Sequence, residues 1–198
     1  KQYKQYKQYK SNNETSKANT KPNYHINSVL FFNGGLFPET HKPTFMQKIL
    51  LNKITGPIVQ YISNYKLFAK SLNEVFGQYT KLKHDETRLY YDSLCYKGGK
   101  HIMHQLLQYI QYRKDNREIW LESLIEMNKK IPIRLVNGPA DPVSGAHLVD
   151  RYRELLDVDG SRSDVVVLNN SIGHYPQLED SKNVLLIVKK WLIELYKT

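Results

Sequence analysis

The feature that most limits what this chain can fold into is the pattern that starts at Ile131. A short apolar run at 131–136 is followed by a polar loop and an amphipathic stretch at 145–156. The order then repeats, with an apolar run at 164–168, a loop, and an amphipathic stretch at 183–196. The runs are rich in β-branched residues. The last stretch spaces Val184, Val188, Trp191 and Leu195 along one helical stripe. Strand, helix, strand, helix at this spacing predicts a parallel α/β sheet with right-handed crossovers. Residues that carry chemistry then belong in the loops beyond the carboxyl ends of the strands. Pro132 sits near a strand start, where its missing N–H does least harm.

Upstream, residues 29–32 (Val-Leu-Phe-Phe) are apolar on both faces and predict a buried parallel strand, ended by Asn33-Gly34-Gly35. From 36 to about 99 strand signals are weak. The spacing predicts helices over 45–51, 58–68 and 85–96, the last stopped by Gly98-Gly99, and further helices over 101–112 and 119–127. Most of this region reads as a helical subdomain entered from a strand end.

The first residues, KQYKQYKQYK, repeat with a period of three, which matches no helix or strand face. Residues 1–25 read as a disordered, basic, low-complexity tail, since they carry little apolar surface to offset ordering. The tail accounts for half the excess charge: residues 1–22 hold six Lys and one Glu, and the net charge of +10 leaves +5 for the other 176 residues. The Tyr/Lys alternation of the tail suits contact with RNA by stacking and phosphate pairing, but the composition favours a solvated tail. With no basic clustering in the folded part, no nucleic acid is expected as a partner. Cys95 is the only cysteine, so neither a disulfide framework nor a cysteine zinc cluster is available. No run approaches the roughly 18–20 apolar residues of a membrane helix. Membrane contact is expected only through segments outside this chain. The first residue is Lys1 rather than Met, which reads as part of a longer protein.

Two loops leave the carboxyl ends of predicted strands, and each holds one residue of interest. Asp141 lies in Asn137-Gly138-Pro139-Ala140-Asp141-Pro142-Val143, and His174 in Ser171-Ile172-Gly173-His174-Tyr175-Pro176. Adjacent strands are about 4.8 Å apart, so both can meet above one sheet edge. An Asp bonded to one imidazole nitrogen fixes the tautomer and leaves the other nitrogen as general base. Acid before histidine is the chain order of triads on this fold. Other candidates carry less. His101 and His104 are three apart on one helix and lack a third zinc ligand. Cys95 has no activating partner. Gly34-Gly35 lacks the rest of a phosphate loop. No cofactor and no metal is expected.

The blocks at 32–43 (FNGGLFPETHKP), 75–80 (VFGQYT), 106–110 (LLQYI), 138–143 (GPADPV) and 174–180 (HYPQLED) together resemble the mesoderm-specific transcript proteins. These form a branch of the α/β-hydrolases near the haloalkane dehalogenases and epoxide hydrolases. The resemblance spans 26–198. It implies the C-terminal part of a hydrolase domain with a helical cap at about 36–110, Asp141 as triad acid and His174 as base. It also implies that Asn33 lines the substrate pocket, and it carries an association with the endoplasmic reticulum membrane. The nucleophile elbow is expected before residue 26, where the tail has none, so the partner expected is the N-terminal half of the domain. The expected reaction of the whole protein is hydrolysis of a small apolar ester, epoxide or halide, with this chain inactive by itself. A non-catalytic hydrolase-like scaffold or binding module is the alternative.

Overall fold

The computed structural model describes residues 25–156 and 162–197. The tail reading therefore falls outside the described residues, His25 apart. Three strands form a parallel sheet in the order β1 (Val29–Phe32), β2 (Ile133–Asn137), β3 (Ser163–Val167). Phe31 pairs with Leu135, and Leu135 with Val165. The strand predicted at 131 begins instead at Ile133. Pro132 has no N–H for the ladder, but its carbonyl accepts from Val29 N at 3.0 Å.

Alternation along the strands sends side chains to two layers. Phe31 and Leu135 face α7 (Arg117–Asn128) and α8 (Ala146–Leu156), where Leu148, Tyr152 and Leu156 are fully buried. Leu30, Phe32 and Val136 face α10 (Ser181–Tyr196), against Val184 and Val188. Burying each such aliphatic or aromatic side chain contributes about 1.5–3 kcal/mol. Arg134 makes a two-point contact with Asp164 on the neighbouring strand and lies over the Trp191 ring of α10 at 5.1 Å.

Between β1 and β2 the described residues are helical. A short 3-10 turn, Pro38–Thr40, precedes α1 (Phe45–Leu51), α2 (Thr55–Ile62), α3 (Tyr65–Asn73), α4 (His84–Cys95), α5 (Met103–Leu106) and α6 (Tyr109–Asp115). Helix α1 starts with a reciprocal cap: Thr44 Oγ1 accepts from Gln47 N, and Thr44 N donates to Gln47 Oε1. Two predicted helices are broken. The one at 58–68 divides at Ser63-Asn64, because the Asn64 side chain accepts from Leu67 N and starts a new helix. The one at 101–112 begins as a 3-10 segment that runs to Ile102 and breaks again after Leu106. Glu39, in the turn, receives Arg117 of α7 and Arg151 of α8, which ties the start of the helical segment to the sheet's helices. The two arginines hold its carboxyl at about 2, against the opposing effect of burial. Among the described residues no helix is long and apolar enough to cross a membrane.

The short helix α9 (Pro176–Glu179) follows the last loop and sets up the site described next.

Candidate active site

The loop after β2 is built to present one carboxylate. Asp141 Oδ1 accepts from Val143 N at 2.8 Å, a local side-chain turn two residues long. Asn137, fully buried at the strand end, donates through Nδ2 to the Ser144 carbonyl at 3.2 Å and so closes the loop's far end. The loop after β3 lies against it, with Ala140 N donating to Ile172 O at 2.8 Å. A Cβ on Gly138 would sit 2.1 Å from the Gly173 carbonyl, so the two loops touch backbone to backbone only because this position is glycine.

Across that contact His174 Nδ1 meets Asp141 Oδ2 at 2.6 Å. The Asp141 side chain is fully buried and that of His174 is about one-quarter exposed. Two further donors converge on Asp141 Oδ2: Ser144 Oγ at 2.7 Å and Asn33 Nδ2 at 2.9 Å. Burial pushes the Asp141 carboxyl up, but the bonds from His174, Ser144 and Asn33 outweigh it and leave the group below its ordinary value. A carboxylate that stays ionised beside an imidazole holds Nδ1 protonated and turns Nε2 outward. Among the described residues Nε2 makes no hydrogen bond. In this geometry Nε2 is free to accept a proton.

The histidine loop is pinned from the helical segment. His174 N donates to the Val75 carbonyl at 2.9 Å. Glu179 collects four donors: Gly77 N and Gly173 N at 2.8 Å each, Tyr175 N at 2.9 Å, and the Thr80 hydroxyl. Tyr175 stacks on Phe76 at 5.1 Å and packs edge-on against His174 at 4.8 Å.

Of the residues named from sequence, Asp141, His174 and Asn33 come together. Asn33 borders a cavity of about 580 Å³, yet its amide is spent on Asp141 and on the carbonyls of Gly138 and Gly173. Its role in this geometry is to position the carboxylate. His101 and His104 lie elsewhere: His101 stacks on Tyr61, and His104 Nδ1 meets Gln60 Oε1 at 2.7 Å. Cys95 is half-buried.

Three residues were given no role from sequence. Ser144 is one; a hydroxyl three residues after the acid was its only signal. His41 and Arg113 are the others. Both nitrogens of His41, and Nε and Nη2 of Arg113, are buried without a hydrogen-bond partner among the described residues.

A parallel sheet whose consecutive carboxyl-end loops carry a buried Asp and the His bonded to it defines an α/β-hydrolase-like chain. No protein-family model matches it. Over 171 residues the chain is 36% identical to the mesoderm-specific transcript homolog protein of Homo sapiens, covering 85% of this chain and 49% of the relative. The Mus musculus mesoderm-specific transcript protein matches to the same extent. The putative hydrolase LipZ of Mycobacterium tuberculosis is 26% identical over 159 residues, or 80% of this chain and 52% of that protein. A crystal structure of a haloalkane dehalogenase loop variant from Bradyrhizobium elkanii shares the fold, with a TM-score of 0.62 at 12% identity, over 86% of this chain and 60% of that one. The chain is similar to the mesoderm-specific transcript proteins and has an α/β-hydrolase-like fold, and it spans about half the length of the curated relatives it matches.

Proposed function

We propose that this chain supplies the acid and the base of a hydrolase active site, and that the remainder of the hydrolase domain supplies the nucleophile. The observation that carries this reading is the 2.6 Å contact between His174 Nδ1 and the buried Asp141 carboxylate. In the reaction, the nucleophile attacks a substrate carbon and forms a covalent ester as that carbon's bond to the departing group breaks. A halide leaves as the anion, an ester's alkoxide leaves with the proton that His174 took from a hydroxyl nucleophile, and an epoxide oxygen stays on the substrate and takes a proton from water. His174 Nε2 then takes a proton from water as its oxygen adds to the ester carbonyl. The ester C–O bond breaks, and the proton passes to the departing oxygen. Asp141 stabilises the imidazolium formed in between. The helices within about 36–110 serve as a cap, whose aromatic residues suit a small apolar ester, epoxide or halide. Any attachment to the endoplasmic reticulum membrane, which the family resemblance implies, is through segments outside this chain.

The remainder of the domain pairs with the free edge of β1. Among the described residues, β1 has a strand neighbour on one side only. Trp120 of α7, about half exposed, lines the same cavity as Phe31 and Phe32 of β1.

The test is turnover of a panel of generic esters and epoxides by the chain alone and by the chain joined to the remainder of the domain. The chain alone is expected to be inactive. The joined protein is expected to turn over, and to lose about 10²–10⁴-fold of its rate with His174→Gln. Turnover unchanged by that substitution, or none in the joined protein, overturns the hydrolase reading; the second result favours a non-catalytic scaffold.

A further inference from the structure

Helix α10 carries apolar residues on the side that turns away from the sheet. Val184 and Trp191 are buried on its inner side, with Ile187 and Val188 packed beside Val184. Leu186 and Ile193 each stand two residues beyond a buried one, which at about 100° per residue is the opposite side of the helix. They are 66% and 51% exposed. Lys182 and Lys189 lie on one side of this apolar pair and Lys190 and Lys197 on the other, all four exposed. Glu194 is the one acidic residue in the sequence of the helix, and it reaches Lys190 at 4.0 Å. Lys182, Lys189 and Lys197 have no ion pair among the described residues.

The place of α10 in the layers decides what can cover that strip. It packs on one face of the sheet, against Leu30, Phe32 and Val136. Strands added at the free edge of β1 extend the sheet sideways, and the helices joining them lie beside α10 in its own layer. Such a helix reaches a flank of α10, where Leu185, Leu192 and Tyr196 are exposed nearer the sheet. It leaves the outward strip open. A second copy of this chain, related by a two-fold axis, would set four lysines against four, which repel. An anionic bilayer surface meets both parts of the pattern. The apolar pair enters the acyl boundary, while the lysines lay their stems along it and place their ammonium groups among the headgroups. Length excludes a spanning helix, but a helix lying in the surface needs no long apolar run.

We propose that the outward face of α10 is a peripheral membrane-binding surface for bilayers rich in anionic lipid. The contact is reversible, since two apolar side chains and four lysines fall far short of an inserted helix. It is separate from any anchor outside this chain and does not depend on the hydrolase reading.

The test is sedimentation of the chain with vesicles of phosphatidylcholine alone and of phosphatidylcholine with about one-third phosphatidylserine. Binding to the anionic vesicles is expected to be at least about tenfold tighter, since each lysine near such a surface multiplies affinity about fivefold. Lys182→Gln with Lys189→Gln should lose about twentyfold of that affinity. Leu186→Asn with Ile193→Asn should lose at least about tenfold. All four positions are exposed, so both variants are expected to fold, which circular dichroism and thermal unfolding check. The basic N-terminal residues and the open edge of β1 also draw the chain to vesicles, so a local probe is needed. Leu186→Trp places an indole on the strip, and bromine-labelled lipid in the anionic vesicles should quench its fluorescence beyond any quenching of the wild type. Equal binding to the two kinds of vesicle, anionic binding indifferent to either pair of substitutions, or no added quenching at position 186 overturns the proposal. Loss of that quenching when the chain is joined to the remainder of the domain also overturns it, by giving the strip to a protein surface.

Discussion

Asn33 Nδ2 lies 2.9 Å from Asp141 Oδ2, the oxygen that His174 Nδ1 meets at 2.6 Å. The amide therefore orients the carboxylate while the carboxylate orients the imidazole. Asn33 also bridges both loops: its Oδ1 accepts from Gly138 N at 2.6 Å, and Nδ2 reaches the carbonyls of Gly138 and Gly173. Its backbone sits in the left-handed region at φ 44°, which asparagine tolerates better than most residues.

Asn33→Ala should cost about 2–4 kcal/mol in urea unfolding, because buried loop groups lose their partners. Asn33→Gly loses the same amide but accepts the positive φ, so it should be the milder change by about 1 kcal/mol. Equal stability of the wild type and the Ala variant would remove Asn33 from this role.

Glu179 should matter to His174 without touching it. Its carboxylate takes N–H donors from Gly173 and Tyr175, on either side of the histidine, and from Gly77 in the helical segment. Glu179→Ala leaves these buried donors unmet and should cost about 2–4 kcal/mol. It should also speed amide exchange at Gly173 and Tyr175. Glu179→Gln keeps one acceptor oxygen and should lie between the two. Exchange at those amides unchanged in the Ala variant would contradict this.

The pH dependence of stability follows from His41. Burial first, and then the Arg113 and Lys114 charges and that of His174, hold its imidazole down at about 4, with Asp141 opposing. Unfolded, the group titrates near about 6.5. Between those values the unfolded chain binds more protons, so stability falls as pH drops from about 6.5 to about 4. Asp141 acts in a lower window: its folded value is depressed, so its contribution is lost only as pH falls below the ordinary carboxylate range. His41→Gln should flatten the fall between pH 6.5 and 4 and leave the acid-side loss in place. A profile of the same slope in that variant would show that His41 does not titrate as described.

How much of this was legible depended on whether the signal was local. The sheet was readable because β2 and β3 are short β-branched runs followed by helical stripes. The meeting of Asp141 and His174 followed from strand ends. The breaks at Asn64 and after Leu106 were not readable, because caps and contacts compete with apolar spacing over only a few residues. His41 and Arg113 were 72 positions apart (113 − 41) with no motif joining them. Only the folded chain buries both, with nitrogens that find no hydrogen-bond partner among the described residues. The need for glycine at position 35 was likewise invisible, since the atom that excludes a Cβ belongs to Arg113.

The last prediction concerns the edge of β1. Val29 N donates to Pro132 O, and Asn33 N to Val136 O, so the odd-numbered amides face β2. By the two-residue period of a strand, the amides of Leu30 and Phe32 face the other way. Among the described residues no strand receives them. An open apolar edge invites pairing with another chain. In hydrogen exchange on the chain alone, Leu30 and Phe32 should exchange much faster than Phe31, although Phe31 and Phe32 are adjacent and equally apolar. Joining the remainder of the domain should slow Leu30 and Phe32 and leave Phe31 as it was, because a parallel strand on that side would accept those two donors. Protection of all three amides in a monomer of this chain would mean that the edge is already covered. The remainder of the hydrolase domain would then have to join elsewhere.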